Sequence, residues 1–229
     1  MSEYKIRIQQ YHLLEVPVKP AQILKFMSDA FALVSDNENA FENSNKSIEI
    51  FHNRKNTYPV IQFNADKGYP IITAYGDNAI KALDIWFELY RKQNPAKIQN
   101  YKQTIEYYFF KPEAEIHTYR IKNFLINHER YDSIKQADKL NFNSGLSEYI
   151  VNVLQYFLSE LQYKANANPL RLKAEIIKAK QKAFVKPFKY ASKFACFDIS
   201  FKLNIRLPDI IALGIATSRG YGVVNKINK

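Results

Sequence analysis

Cysteine is almost missing from this 229-residue chain: Cys196 is the single one, so no internal disulfide braces the fold. Glycine is scarce as well, with six residues against nine prolines, which excludes collagen-like and linker-dominated chains. Four histidines, His12, His52, His117 and His128, are scattered without His-x3-His or Cys-x2-Cys spacing. No structural zinc site or other metal ligand set is expected from such a pattern. No apolar run approaches the roughly 20 residues that a membrane helix needs. The opening MSEYKIRIQQYHLLEV lacks the basic segment and uninterrupted apolar stretch of a secretory leader. These absences together point to a cytoplasmic chain with no membrane attachment.

What is present describes a globular protein. Hydrophobic residues make up 47% of the chain and the mean hydropathy is -0.36, enough apolar material for a sizeable core. The length suits one large domain or two of roughly 110 residues. The net charge of +11 is unevenly distributed. Residues 1–163 carry 19 basic and 19 acidic side chains, whereas residues 164–229 carry 14 basic and 3 acidic, so the last 66 residues hold the whole excess. A neutral body with a basic third is the electrostatic footprint expected of a protein that binds a polyanion, nucleic acid being the commonest. A basic surface kept for solubility is the plainer alternative.

Periodicity organises the chain into alternating elements. Tyr4, Ile6 and Ile8 alternate with polar residues as in a half-buried strand, and Leu24, Met27, Phe31 and Val34 have helical spacing after Pro20. A polar loop follows from Ser35 to Lys46. The short runs SIEIF (47–51), YPVIQF (58–63) and YPIITAY (69–75) read as strands, the last two joined at Lys67-Gly68. Asp77 and Asn78 are N-cap types ahead of a helix through Ile80, Leu83, Phe87 and Tyr90, and YKQTIEYYFF (101–110) is a further strand. The order β-α-β-β-α-β is that of a ferredoxin-like, or RRM-like, domain. Lys111-Pro112-Glu113 marks a boundary, giving domains 1–112 and 113–229.

The second half repeats the plan loosely. A strand covers 114–126, and a helix opened by Ser144-Gly145 presents Leu146, Ile150, Leu154, Phe157 and Leu161 on one face. ANANP (165–169) breaks that helix. A strand-rich basic stretch runs from Leu170 to Pro208, then an apolar turn-helix near Ile210–Thr217 and a last strand at 221–227. The fold class is therefore α+β, two tandem ferredoxin-like domains with antiparallel sheets.

Chemistry concentrates in that basic stretch. Lys178, Lys180 and Lys182 lie two apart, which on a strand puts three ammonium groups on one face. In FDISFKLNIRLP (197–208), Ile199, Phe201, Leu203, Ile205 and Leu207 alternate with Ser200, Lys202, Asn204 and Arg206, an apolar face backed by a polar one bearing two cations. Cations at strand spacing suit a row of phosphates, with a solvated strand face as the alternative. Three of the six glycines, Gly214, Gly220 and Gly222, flank Ser218 and Arg219 within LGIATSRGYGVV (213–224). Glycine allows a backbone to approach a phosphate closely, or simply shapes a bulge or turn. His12, His117 and His128 read as structural or surface residues, Cys196 as a small buried hydrophobe, and Glu113 with Glu115 as a carboxylate pair with no further support.

LPDIIALGIATSRGYGVV (207–224) resembles the glycine-rich motif of the CRISPR-associated repeat-RNA endoribonucleases, the Cas six family of the RAMP superfamily of tandem ferredoxin-like proteins. IFHNRKNTYPVIQF (50–63) is similar to that family's segment built as F-H-N followed by an aromatic-proline pair and an I-Q-aromatic strand. YRIKNFLINHERY (119–131) resembles, more loosely, the strand that opens the second domain. The resemblance implies cleavage of precursor crRNA within its repeats, without metal or cofactor. The neighbouring 2′-hydroxyl attacks, leaving a 2′,3′-cyclic phosphate and a 5′-hydroxyl. Such chemistry needs a base, an acid and cations around phosphorus.

By the same resemblance His52 is the acid or base, Tyr58 positions or protonates an oxygen, and Lys46, Arg54 and Lys55 supply positive charge. Lys178, Lys180, Lys182, Lys202, Arg206, Gly214, Ser218, Arg219, Gly220 and Gly222 are the expected RNA contacts. Arg54 stands where relatives often carry a second histidine, which keeps open a catalytically silent RNA-binding subunit of a crRNA effector complex. Homodimers are common among similar enzymes.

Overall fold

The computed structural model describes residues 5–14, 23–37, 51, 59–96, 98–137, 142–161, 171–186, 193–217 and 220–227. It divides into two units, one built on residues up to Phe109 and the other on Phe110–Thr217 with Tyr221–Lys229.

The first unit comprises β1 (Lys5–Leu13), α1 (Ile23–Asp36), β2 (Ile61–Asp66), β3 (Tyr69–Tyr75), α2 (Asp77–Gln93) and β4 (Tyr101–Phe109). Its antiparallel sheet has the order β2-β3-β1-β4. This is the ferredoxin-like arrangement read from the order of elements. Lys67 and Gly68, at φ 49 and 88, form the two-residue β2–β3 turn, whose positive φ at both positions matches the twist of the strands. Asp77 and Asn78 are not the caps that their residue types suggested. Gly76 precedes the helix at φ 86 without a side-chain cap, and Asp77 instead places its charge in the first turn, where the helix dipole favours it.

Helix-facing residues of the sheet and the apolar sides of α1 and α2 share one core. Trp86 is fully buried, stacked on Tyr90 at 4.9 Å and meeting Phe26 and Phe63 edge-on. Tyr11 stacks on Phe87 at 3.9 Å and donates its hydroxyl to Asp84, which also accepts from Gln9. Of SIEIF only Phe51 is described, and it is helical and buried rather than extended.

The second unit contains β5 (Pro112–Asn127), α3 (His128–Ala137), α4 (Phe142–Glu160), β6 (Ala174–Val185), β7 (Phe194–Ile205), β8 (Ile211–Ala212) and β9 (Val223–Lys226), with sheet order β6-β7-β5-β9-β8. Strands β5, β6, β7 and β9 reproduce the ferredoxin-like order, so the chain is two tandem domains of this kind. The predicted turn-helix near Ile210–Thr217 is replaced by the short strand β8, paired antiparallel with β9. Gly214 at φ 100 is incompatible with helix, while Ile211 and Ala212 are buried by pairing at the sheet edge.

Helix α3 was not read from the sequence. Its signal is Asn127, whose Oδ1 accepts the Arg130 amide at 2.9 Å, as an N-cap does. Gly145 lies inside α4 rather than at its start. A Cβ there would come within 3.0 Å of Ile134, so the glycine permits the close approach of α3 and α4.

Candidate nucleic-acid interface

The alternation along β7 decides the two faces of the second sheet. Phe197, Ile199, Phe201, Leu203 and Ile205 are buried on the helix side, so Asp198, Ser200, Lys202 and Asn204 line the other. On β6, Glu175 opposes Lys202 and Ile176 opposes Phe201. Continued without interruption, this register would turn Lys178 and Lys180 toward the core. Ile177 is instead a bulge residue, and beyond it Lys178 opposes Ser200 and Lys180 opposes Asp198. The one-residue insertion returns the lysines to the solvent face. Lys178, Lys180 and Lys182 are all exposed on this edge strand.

A second bulge completes the surface. Two residues of β5, Lys122 and Asn123, face one residue of β7, and Asn123 adopts φ 53. Asparagine tolerates this left-handed conformation better than most side chains. Its amide donates to Asp198 Oδ1 at 3.0 Å. Lys182 Nζ lies 2.9 Å from the same Asp198 oxygen and donates to Asn123 Oδ1 at 2.9 Å, while Arg120 Nη2 is 3.7 Å from Asp198 Oδ2. Lys202 pairs with Glu175 at 3.2 Å. Lys178, Lys180, Lys182, Lys202 and Arg120 thus share a face on which Asp198 and Glu175 are the paired carboxylates.

Asp198 organises this surface. Burial alone would raise its carboxyl, but the Asn123 amide, the Lys182 ammonium and Arg120 outweigh it and hold it below the ordinary aspartate range. A depressed folded-state value contributes stability above the unfolded value of about 3.9, which is lost as pH falls through the folded one. In thermal melts, Asp198→Asn is expected to be less stable than wild type at pH 7, with the difference narrowing in the acid range. An equal gap at pH 7 and pH 2 would remove the carboxylate from this role.

The glycine-rich segment connects β8 to β9. Leu213 N–H donates to the Gly222 carbonyl at 2.9 Å, and Gly222 N–H is shared between the Lys122 and Asn123 carbonyls at 3.1 and 3.2 Å. Gly222, at φ 69, therefore spends its amide on the sheet; it shapes the loop rather than offering an N–H to a ligand. Gly214 lies against Phe124, and Gly220 has φ 77.

Of the remaining sequence candidates, Arg206 is exposed just beyond the end of β7. Lys46, His52, Arg54, Lys55, Tyr58, Ser218 and Arg219 lie outside the described residues. Arg120 and Lys122 were missed. Their signal was the alternation Thr118, Arg120, Lys122 along HTYRIKNF, hidden in a strand read mainly for its apolar residues. Cys196 is buried as expected, and burial pushes its thiol up, which makes it a poor nucleophile.

Two tandem ferredoxin-like domains, the second with a cationic sheet face and a glycine-shaped loop, define a protein of the RAMP class. The model of the Cas6b C-terminal domain matches residues 111–227, about half of the chain. This chain belongs to the Cas6b family. Two solved structures of similar fold are "Crystal structure of Cas6b" (18% identity, TM-score 0.66) and "Crystal structure of CRISPR RNA processing endoribonuclease Cas6b" (19%, 0.64). A third is "Csf5, CRISPR-Cas type IV Cas6 crRNA endonuclease" (12%, 0.57). Each alignment covers 98% of this chain and 100% of the other. A comparison with curated proteins returns no match.

Proposed function

We propose that this protein is a metal-independent endoribonuclease that binds CRISPR repeat RNA on its second domain and cleaves precursor crRNA beside His52. The cationic face of the β6-β7-β5 sheet is the observation that supports RNA binding most directly. Lys178 and Lys180 stand about 6.6 Å apart along an extended strand and present ammonium groups to solvent. Lys182, Lys202 and Arg120 extend the positive surface across neighbouring strands. Membership of the Cas6b family supports the processing reaction, and one of the structures of similar fold is that of a CRISPR RNA processing endoribonuclease.

In this reading His52 transfers a proton to or from a ribose or leaving-group oxygen, as an imidazole of pKa near 6.5 can at neutral pH. Tyr58 orients or protonates an oxygen, and Lys46, Arg54 and Lys55 balance the charge that develops on the phosphoryl oxygens. Gly214 and Gly220 allow the β8–β9 loop to approach the backbone of the RNA, with Ser218, Arg219 and Arg206 as polar contacts. Arg54, in the position where the resemblance leads one to expect a second histidine, favours a second reading, a silent subunit that holds crRNA in an effector complex.

End-labelled repeat RNA incubated in EDTA separates the two. Cutting by wild type that leaves a 2′,3′-cyclic phosphate, and a loss of at least 100-fold in rate in His52→Ala, is the expected result. Salt-sensitive binding without cutting by either protein would select the silent subunit. Absence of binding would remove RNA as the ligand.

A further inference from the structure

The strand that opens the second domain carries a cluster that the sequence reading left without a role. Glu113, Glu115 and His117 alternate along β5, and one ligand atom from each lies within 4.8 Å of those of the other two. The His117 side chain is 3% exposed. Its Nε2 lies 2.7 Å from Glu113 Oε2, and because a carboxylate accepts, Nε2 carries the proton of that hydrogen bond. The His117 Nδ1 is buried without a hydrogen-bond partner among the described residues, and 3.8 Å away is Oε1 of Glu115.

A buried imidazole nitrogen facing a carboxylate is a place for a positive species, either a proton on Nδ1 or a metal ion between the two groups. We propose that a divalent transition-metal ion of the zinc type occupies this position, with His117 Nδ1 and Glu115 Oε1 as protein ligands. Glu113 then acts as the carboxylate that fixes the imidazole from behind, an arrangement that recurs around zinc-bound histidines. Ligand bonds of about 2.1 Å at a tetrahedral angle span about 3.4 Å between donor atoms. The present 3.8 Å closes to that by a small turn of the Glu115 side chain, which is 76% exposed and unconstrained by the core. A neutral imidazole with two carboxylates offers two negative charges, which a divalent ion balances. The mixed nitrogen and oxygen set favours zinc over magnesium or calcium, which prefer oxygen alone. Such an ion would tie down the first residues of β5, where the register with β7 is interrupted between Pro112 and His117. Its role is structural, and RNA cleavage does not pass through it.

Titration of the full chain with zinc chloride, after chelator stripping and removal of the chelator, tests the site by calorimetry and thermal melting. One equivalent is expected to bind and to raise the melting temperature. Glu115→Gln, a change at an exposed side chain that leaves the fold intact, is expected to weaken binding at least tenfold. Glu113→Gln is expected to weaken it about tenfold through the imidazole. His128→Gln, which removes the other histidine–carboxylate pair described, should leave the affinity unchanged. Millimolar magnesium should not compete. Absence of saturable zinc binding to wild type, or equal affinity in Glu115→Gln, overturns the proposal. Nitrogen NMR showing a proton on Nδ1 at neutral pH in the presence of excess zinc would do the same, since the counter-charge would then be a proton.

Discussion

Gly222→Ala is expected to destabilise the second domain by about 3 kcal/mol or more, lowering its melting temperature by roughly 10 °C. Two costs add. The residue has φ 69, a conformation that charges any L side chain about 1–2 kcal/mol. A Cβ would also stand 1.9 Å from the Leu213 carbonyl oxygen, and that oxygen belongs to backbone that cannot rotate away. Relief would require breaking the Leu213 N–H bond to Gly222, which closes the loop between β8 and β9, or the Gly222 N–H bonds to Lys122 and Asn123, which tie that loop to β5. Gly68→Ala is the matched control. It has φ 88 but nothing within 4 Å of its Cβ position, so only the conformational cost of about 1 kcal/mol applies. Similar losses for the two variants in thermal and urea melts would show that the steric clash at Gly222 is relieved.

The second large effect concerns the lysine row. Lys178→Glu combined with Lys180→Glu is expected to lower affinity for repeat RNA on the order of 100-fold near physiological salt, with little change in melting. Both side chains are exposed and neither has an ion pair to lose among the described residues, unlike Lys182, whose removal would also disturb Asp198 and Asn123. If each contacts a phosphate, the slope of log affinity against log salt should shrink by about 1.4 for single-stranded RNA. Fluorescence anisotropy at several salt concentrations measures both quantities. A double variant that binds as tightly as wild type with the same slope would move the interface off β6 and leave its lysines with the task of protecting a sheet edge.

Both predictions rest on features that differ in how far the sequence discloses them. Strands with a clean two-residue alternation were legible. FDISFKLNI of the FDISFKLNIRLP segment lies in β7 with its apolar and polar faces as expected, although β7 starts earlier, at Phe194, and ends at Ile205, before Arg206. YPIITAY, an apolar run rather than an alternating one, became β3 to the residue. Helix α3 was not, because its apolar face is short and its clearest signal is a single capping asparagine. The segment near Ile210–Thr217 was taken for helix because a short apolar run looks alike in helix and buried strand. Pairing with β9 resolved it, a contact that no local pattern contains. Among the candidate site residues, the basic character of the C-terminal third was plain from counting, but the partners of those cations were not. Asp198 reads in sequence as one polar position in an alternating strand, and its three interactions come from residues 123, 182 and 120.

The sequence by itself determined the order of elements, the division of charge between the two halves and the spacing that keeps Lys178, Lys180 and Lys182 together. These are local properties, written in period and composition. Only the tertiary structure decided which side of the sheet those lysines occupy, because the bulge at Ile177 sets the phase of Lys178 and Lys180, and a further register shift between Gln181 and Phe184 follows at Lys182. It alone joined Arg120 to the same surface across β7, and it alone turned His117 between two carboxylates. The reason is physical. Strand register is chosen by burying Phe197, Ile199 and Phe201 against α4 and its neighbours, and that choice is made between residues dozens of positions apart.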